Sequence, residues 1–387
     1  MASPAPLVAI AGGGPAAIET ALALRDLAGD RVQIELVAPE SEIVVRAYEV
    51  TAPFHEGHER RYPLGRIAAD LDLRVVRDRL AGADAGARTV SLGSGAPRRY
   101  DFLVVAVGAR HTDPLAGAIP FRGARDANKL KELLSESRSG RRRRIAFVIP
   151  GGHTWPIPVY ELAMNTSAWL SDRGVTGVPL ALITPEREPL AVFGPNASRD
   201  VAALLEAHGV QFISGHAIRL DGGRLLLAGG SELDVDVAIA LARLRGPALR
   251  GLPSDDEGFL PVDELGRVEG VAQVFAAGDA TTFPVKQGGL ATQQADVIAA
   301  SVAAAVGAPV PALHFQPVLR AVLFAGAERR YLYAELGENL NDTSEASAAP
   351  LWPDHGKVVG RYLAPYLSRL DEAGAAAVSE RPPSASR

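Results

Sequence analysis

Leu7-Val-Ala-Ile-Ala-Gly-Gly-Gly-Pro-Ala-Ala-Ile-Glu19 decides the fold. Leu7 to Ala11 is a short apolar run suited to a strand buried on both faces, and a helical apolar pattern follows from Ala21 to Leu27. Val32 to Val37 then reads as a second strand. A glycine turn between a strand and a helix, with a second strand behind, is the order a dinucleotide fingerprint requires. Gly12 allows the tight turn, Gly14 lets backbone approach a pyrophosphate, and Ala17 is the small residue where helix and strand pack closely. The helix opens at Pro15 and Ala16, so its free N–H groups and positive dipole end face the phosphates. Ala38 and Pro39 follow the second strand, which makes Glu40 the candidate acid for the ribose hydroxyls.

Two distant segments extend the reading. Tyr100 to Ala109 is a buried strand ending in a small turn that contains Gly108. Val274-Phe-Ala-Ala-Gly-Asp-Ala280 is another, with Pro284-Val-Lys-Gln-Gly-Gly-Leu290 behind it. A carboxylate at the end of a buried strand can accept a hydrogen bond from a ribityl hydroxyl, a group that a nicotinamide nucleotide lacks there. Together with the first turn, these segments resemble the two-dinucleotide flavoprotein superfamily of glutathione reductase and the type II NADH dehydrogenases. The resemblance implies an α/β fold of two Rossmann-like units, the second inserted in the first, with FAD as cofactor. It places Asp279 on the ribityl chain, with Gly278 before it. A helix from about Gly289 to Ala304, opening with Gly288, Gly289 and Leu290, would point its N-terminus at the flavin pyrimidine and favour the reduced form. Lys286 could add charge there, or be a solvated loop residue. The expected division is an FAD-binding unit at 1–112 and 255–310, an NAD(P)-binding-like unit at 113–254, a C-terminal segment at 311–370 and a disordered tail at 371–387.

The inserted unit departs from the pattern. Arg144 to Ile149 is its first strand, Tyr160 to Leu170 its helix and Leu180 to Thr184 its next strand. Between them the turn reads Pro150-Gly-Gly-His-Thr-Trp-Pro-Ile-Pro-Val-Tyr-Glu161. Glu161 stands where the superfamily has its final Glu, but Pro156, Pro158 and Val159 replace the neighbouring glycines, and the loop is longer. Proline removes an N–H and stiffens the turn, and Trp155 could occupy the path of a dinucleotide. This turn resembles the sulfide:quinone oxidoreductase branch, whose members do not take electrons from a nicotinamide. That branch works through redox cysteines. The chain has none, which excludes sulfide oxidation by that route, along with disulfides and thiolate metal sites.

The bulk properties agree with a globular enzyme of two or three domains: 387 residues, 47% hydrophobic, with 40 basic against 45 acidic side chains. The near balance of charge gives no reason to expect nucleic acid. No signal-like or membrane-spanning stretch is evident, so a cytoplasmic protein is expected, with peripheral contact at the inner membrane face left open. His55 and His58, with Glu56 and Glu59, are weak metal candidates, and no metal site is expected. Arg141 to Arg144 is a basic cluster best read as a solvated loop. His153, in the altered turn, is a candidate acid or base beside the flavin.

Past residue 310, Arg320 to Phe324 and Arg330 to Glu335 read as two strands, and Glu338 to Ala349 as a polar linker. Lys357 to Leu370 carries a helical stripe of Val358, Tyr362, Tyr366 and Leu370 that should pack on the FAD unit, although in quinone-reducing relatives this region meets lipid. Residues from Glu372 onward read as disordered. The expected function is electron transfer through FAD, from NAD(P)H to a quinone or other small acceptor, with Lys286 and His153 as the catalytic candidates. A non-nicotinamide donor and a non-catalytic flavin-binding regulator are the alternatives, and the oligomeric state stays open.

Overall fold

A computed structural model describes residues 4–54, 60–112, 115–139, 143–337, 343–353 and 356–379. Two five-stranded parallel sheets organise it. The first runs in the order Val274–Ala276, Phe102–Val105, Leu7–Ala11, Gln33–Val37, Arg74–Val76, so its strands come from both ends of the chain. The second runs Ile119–Phe121, Val237–Leu241, Ile145–Val148, Leu180–Thr184, Val210–Ser214. Their central strands are uniformly apolar because both faces are covered, as parallel sheets require.

On one face of the first sheet lie α1 (Pro15–Ala28) and, beside it, a long helix at Gly288–Ala305. Alanines dominate their contact, since Ala16, Ala17, Ala291, Ala295 and Ala299 are buried there and small side chains let two helices approach closely. Further helices are α2 (Leu64–Asp70), α3 (Ala127–Arg138), α4 (Ile157–Ser171) and α5 (Gly194–Ala207); the Gly288–Ala305 helix is α6. The two sheets are joined by a ribbon in which Arg110–Thr112 pairs antiparallel with Arg243–Arg245.

The C-terminal region corrects four expectations. The strands are longer than expected, Val318–Ala325 and Glu328–Glu335, and a third, Glu345–Ser347, forms inside what reads as polar linker. Ser344 explains its place: its hydroxyl donates to the Phe193 carbonyl at 2.5 Å and accepts from the Ala197 amide at 3.3 Å, which ties the strand to the start of α5. The expected Lys357–Leu370 helix begins only at Leu363, because the Tyr362 and Leu363 amides are taken by the Glu19 carboxylate. Pro365 therefore falls in the first turn of this helix, α7, where its missing N–H costs nothing. Finally, α7 continues to Ser379, so the chain is helical well beyond Glu372. The stripe of Val358, Tyr362, Tyr366 and Leu370 packs on the first sheet's core. Among the described residues no helix is long and apolar enough to cross a membrane.

Candidate functional site

The site is built where the first sheet's strands end. Gly12 has φ +130°, and a Cβ on it would collide with the Ala106 carbonyl, so only glycine lets the first turn pass the neighbouring strand. Gly14 is different: it is extended, caps α1, and a Cβ there would meet no protein atom within 4 Å. Pro15 opens α1 with no N–H to satisfy, and Ala16 and Ala17 follow with amides that have no acceptor within the helix. Gly108, at φ +71°, lies just past the Phe102–Val105 strand and has open space where its side chain would be. Glu40 is exposed, and its Oε2 lies 3.4 Å from the position of a Cβ on Gly13, so a free carboxylate borders the glycine turn.

Gly278 and Asp279 stand opposite. Gly278 has φ +72° and a Cβ would lie 3.1 Å from Ala291 of α6, while its amide donates to Gln294 Oε1 at 2.7 Å. Among the described residues the Asp279 carboxylate has no hydrogen bond. Burial pushes its pKa up, opposed by Lys286 and Arg46. A partly buried acceptor beside a glycine turn and a helix N-terminus has the chemistry that a ribityl and pyrophosphate group requires.

Lys286 is not the solvated loop residue that the sequence left open. It is 3% exposed, donates to the Thr281 carbonyl, and holds its ammonium 3.8 Å from the centre of the Phe259 ring. Burial lowers its pKa to about 8, against the pull of Asp279, Asp255 and Glu257. His153 meets the same ring edge-on, 4.8 Å between centroids, and its Nε2 lies 3.1 Å from Glu257 Oε2. Phe259 thus joins the two catalytic candidates, although nothing in the sequence marked it.

At the start of α6, Gly288 packs against Val358 and Gly289 against Gln287. The Leu290 amide does not reach outward as expected. It donates to Gln287 Oε1 at 2.8 Å, so Gln287 caps the helix and leaves the Gly288 and Gly289 amides as its open end. A glutamine directly before paired glycines was the signal available for it.

The second unit is arranged otherwise. Glu186 follows its strand in the sequence Pro185-Glu186 as Glu40 follows its own in Pro39-Glu40. Glu40 is free, whereas Glu186 accepts from the Tyr160 hydroxyl at 2.6 Å and from Thr184 Oγ1 at 2.9 Å. Trp155 packs on Phe193, 5.9 Å between ring centres. Glu161 is buried against Lys357 and accepts from the Phe324 amide at 2.8 Å. Burial raises the pKa of Glu161 and lowers that of Lys357, each opposed by the other's charge. In the basic cluster, Arg143 and Arg144 are committed to Glu136 at 2.8 Å and Asp236 at 2.7 Å. Arg141, Arg142 and the His55–Glu59 cluster lie outside the described residues, and no metal-binding group occurs among the described ones.

The pyridine nucleotide-disulphide oxidoreductase model matches residues 6–306. The chain belongs to that family of FAD-dependent oxidoreductases. Within it, a chloroplastic and mitochondrial monodehydroascorbate reductase of Arabidopsis thaliana is 25% identical over 79% of this chain and 64% of its own length. The ferredoxin–NAD(+) reductase component of a biphenyl dioxygenase system from Paraburkholderia xenovorans is 27% identical over 79% of this chain and 76% of its own. Among solved structures, the sulfide:quinone oxidoreductase of Aquifex aeolicus superposes with a TM-score of 0.79 at 17% identity, covering 95% of this chain and 90% of that one, a likeness of fold. The chain thus spans under two thirds of the monodehydroascorbate reductase it matches.

Proposed function

We propose that this family member passes electrons through bound FAD from NAD(P)H to a quinone or another small acceptor. The observation that carries the reading is an Asp279 carboxylate with no hydrogen bond among the described residues, next in sequence to Gly278, where a Cβ would come within 3.7 Å of Ala16 at the start of α1. FAD, when bound, supplies the electron-accepting and electron-donating chemistry. The chain's own part is to hold and tune. Asp279 would accept a ribityl hydroxyl, Glu40 a ribose hydroxyl, and the Ala16 and Ala17 amides would meet phosphate oxygens. Lys286 keeps a proton on Nζ at neutral pH and so brings a positive charge near Asp279. Hydride transfer depends on alignment more than on acid–base groups, which suits a site whose titratable side chains line its wall.

A second reading has a specific observation behind it. Glu186 and Glu161, the acids of the second unit's fingerprint, are both engaged by the chain itself. A dinucleotide seated there must displace the Tyr160 hydroxyl, and a donor of another kind has no such requirement. Anaerobic titration of the yellow protein with NADH and then NADPH, followed by flavin absorbance, decides between the two. Bleaching by either supports NAD(P)H as donor, with quinone reoxidation the next assay. Bleaching by dithionite alone rejects it in favour of the second reading.

A further inference from the structure

We infer that Glu19 and Asp296 share one proton that clasps α7 to the first unit, making the docking of α7 sensitive to pH. Glu19 projects from α1 and is fully buried; its Oε1 accepts from the Tyr362 amide at 2.9 Å and its Oε2 from the Leu363 amide at 2.6 Å. Asp296 reaches it from α6. The two carboxyl groups lie within hydrogen-bonding reach of each other, and Asp296 Oδ1 is buried with no donor among the described residues. Two carboxylates cannot make such a contact when both are ionised; one must carry a hydrogen.

The surroundings leave the pair little else. Arg361, just before α7, faces Asp296. Tyr362 donates its hydroxyl to Asp26 of α1 at 3.0 Å, and Tyr366 of α7 donates to Asp70 at 2.8 Å, so neither phenol serves the pair. Gly360 is required for the approach, because a Cβ on it would lie 2.6 Å from Glu19 Oε2. Burial and the neighbouring Asp296 raise the Glu19 pKa to about 8, and burial raises that of Asp296 to about 6.

The sign follows. With its proton the pair presents one negative charge to two amides, which is a satisfied arrangement. Without it two negative charges adjoin under α7. Docking is therefore strongest at or below pH 4.5, weakens by up to about tenfold per pH unit for one proton as pH rises from there to about 8, and is level above that, where the docked pair has also given up its proton. Nothing in the electron-transfer reading depends on this clasp.

Hydrogen exchange of the peptides spanning 359–370, at pH 5 to 9.5 with times corrected for base catalysis, tests it. The wild-type chain should lose protection there progressively between pH 5 and 8 and level off above it, while α3 and α5 keep theirs. Asp296→Asn should stay protected throughout, because its amide donates permanently to Glu19. Unchanged wild-type protection from pH 5 to 8, or the same loss over that range in Asp296→Asn, overturns the proposal. Should that variant not fold, infrared spectra of the wild type serve instead. A protonated-carboxyl band present at pH 7 and lost above pH 8 supports the shared proton, and its absence at pH 7 rejects it.

Discussion

Gly12 and Gly14 lie two residues apart yet answer to different demands. The first is fixed by backbone geometry within the protein, the second by what must come close to it. Gly12→Ala should therefore lower the unfolding temperature and flavin content together, since a strained φ alone costs on the order of 1–3 kcal/mol. Gly14→Ala should leave thermal unfolding of the flavin-free protein unchanged and reduce only the flavin retained on purification. Equal losses of stability in both would contradict this division. Lys286 makes a separate prediction. A bound-flavin spectrum that titrates near pH 8 in wild type should not do so in Lys286→Met. Because burial holds the folded pKa below the ordinary lysine value, the folded state binds fewer protons than the unfolded one above pH 8. The lysine's contribution to stability thus rises with pH between about 8 and 10.5.

At the scale of elements, the glycine turn, α1, the Asp279 strand and α6 were legible because each rule behind them is local: a period, a cap, a small residue at a fixed offset. The partners of Glu161 and Glu186 were not. Lys357 lies 196 residues from Glu161, and no pattern near either residue marks a buried ion pair. Pairing also explains why a fingerprint acid can survive beside lost glycines. Lys357→Met would leave Glu161 buried without its counter-charge and should destabilise by about 3–5 kcal/mol, measured by urea unfolding. Glu161→Gln in the same chain should recover most of that loss. Likewise, Tyr160→Phe frees the Glu186 carboxylate, and if NADH bleaches the flavin its dissociation constant should fall several-fold. No change in that constant would mean that Glu186 stays turned inward without the tyrosine.

Across the whole molecule, the segment after residue 318 is the part least visible in the sequence, because its shape is set by what it lies on. Its strand Val318–Ala325 packs along α4, and α7 lies on α1. Polar, small-residue stretches such as Glu345–Ser347 gain strand geometry from a neighbour's edge and not from their own pattern. Replacing Leu363 and Leu367 by Ser should expose the α1 face and lower the unfolding temperature of the first unit, resolved by the order in which its peptides exchange on heating. An unaltered exchange order would show that α7 contributes little to that unit.

Glu19 and Glu161 hold the same position in the two fingerprints, and both are completed by the same stretch of chain, 344 and 196 residues later. In a growing polypeptide each helix therefore leaves the ribosome with a buried acid still lacking its partner. Neither half can reach its final state during its own synthesis. The two halves close together, when residues 357–363 emerge, and chains interrupted before that point carry two unfinished cores where a modular protein would carry one finished domain.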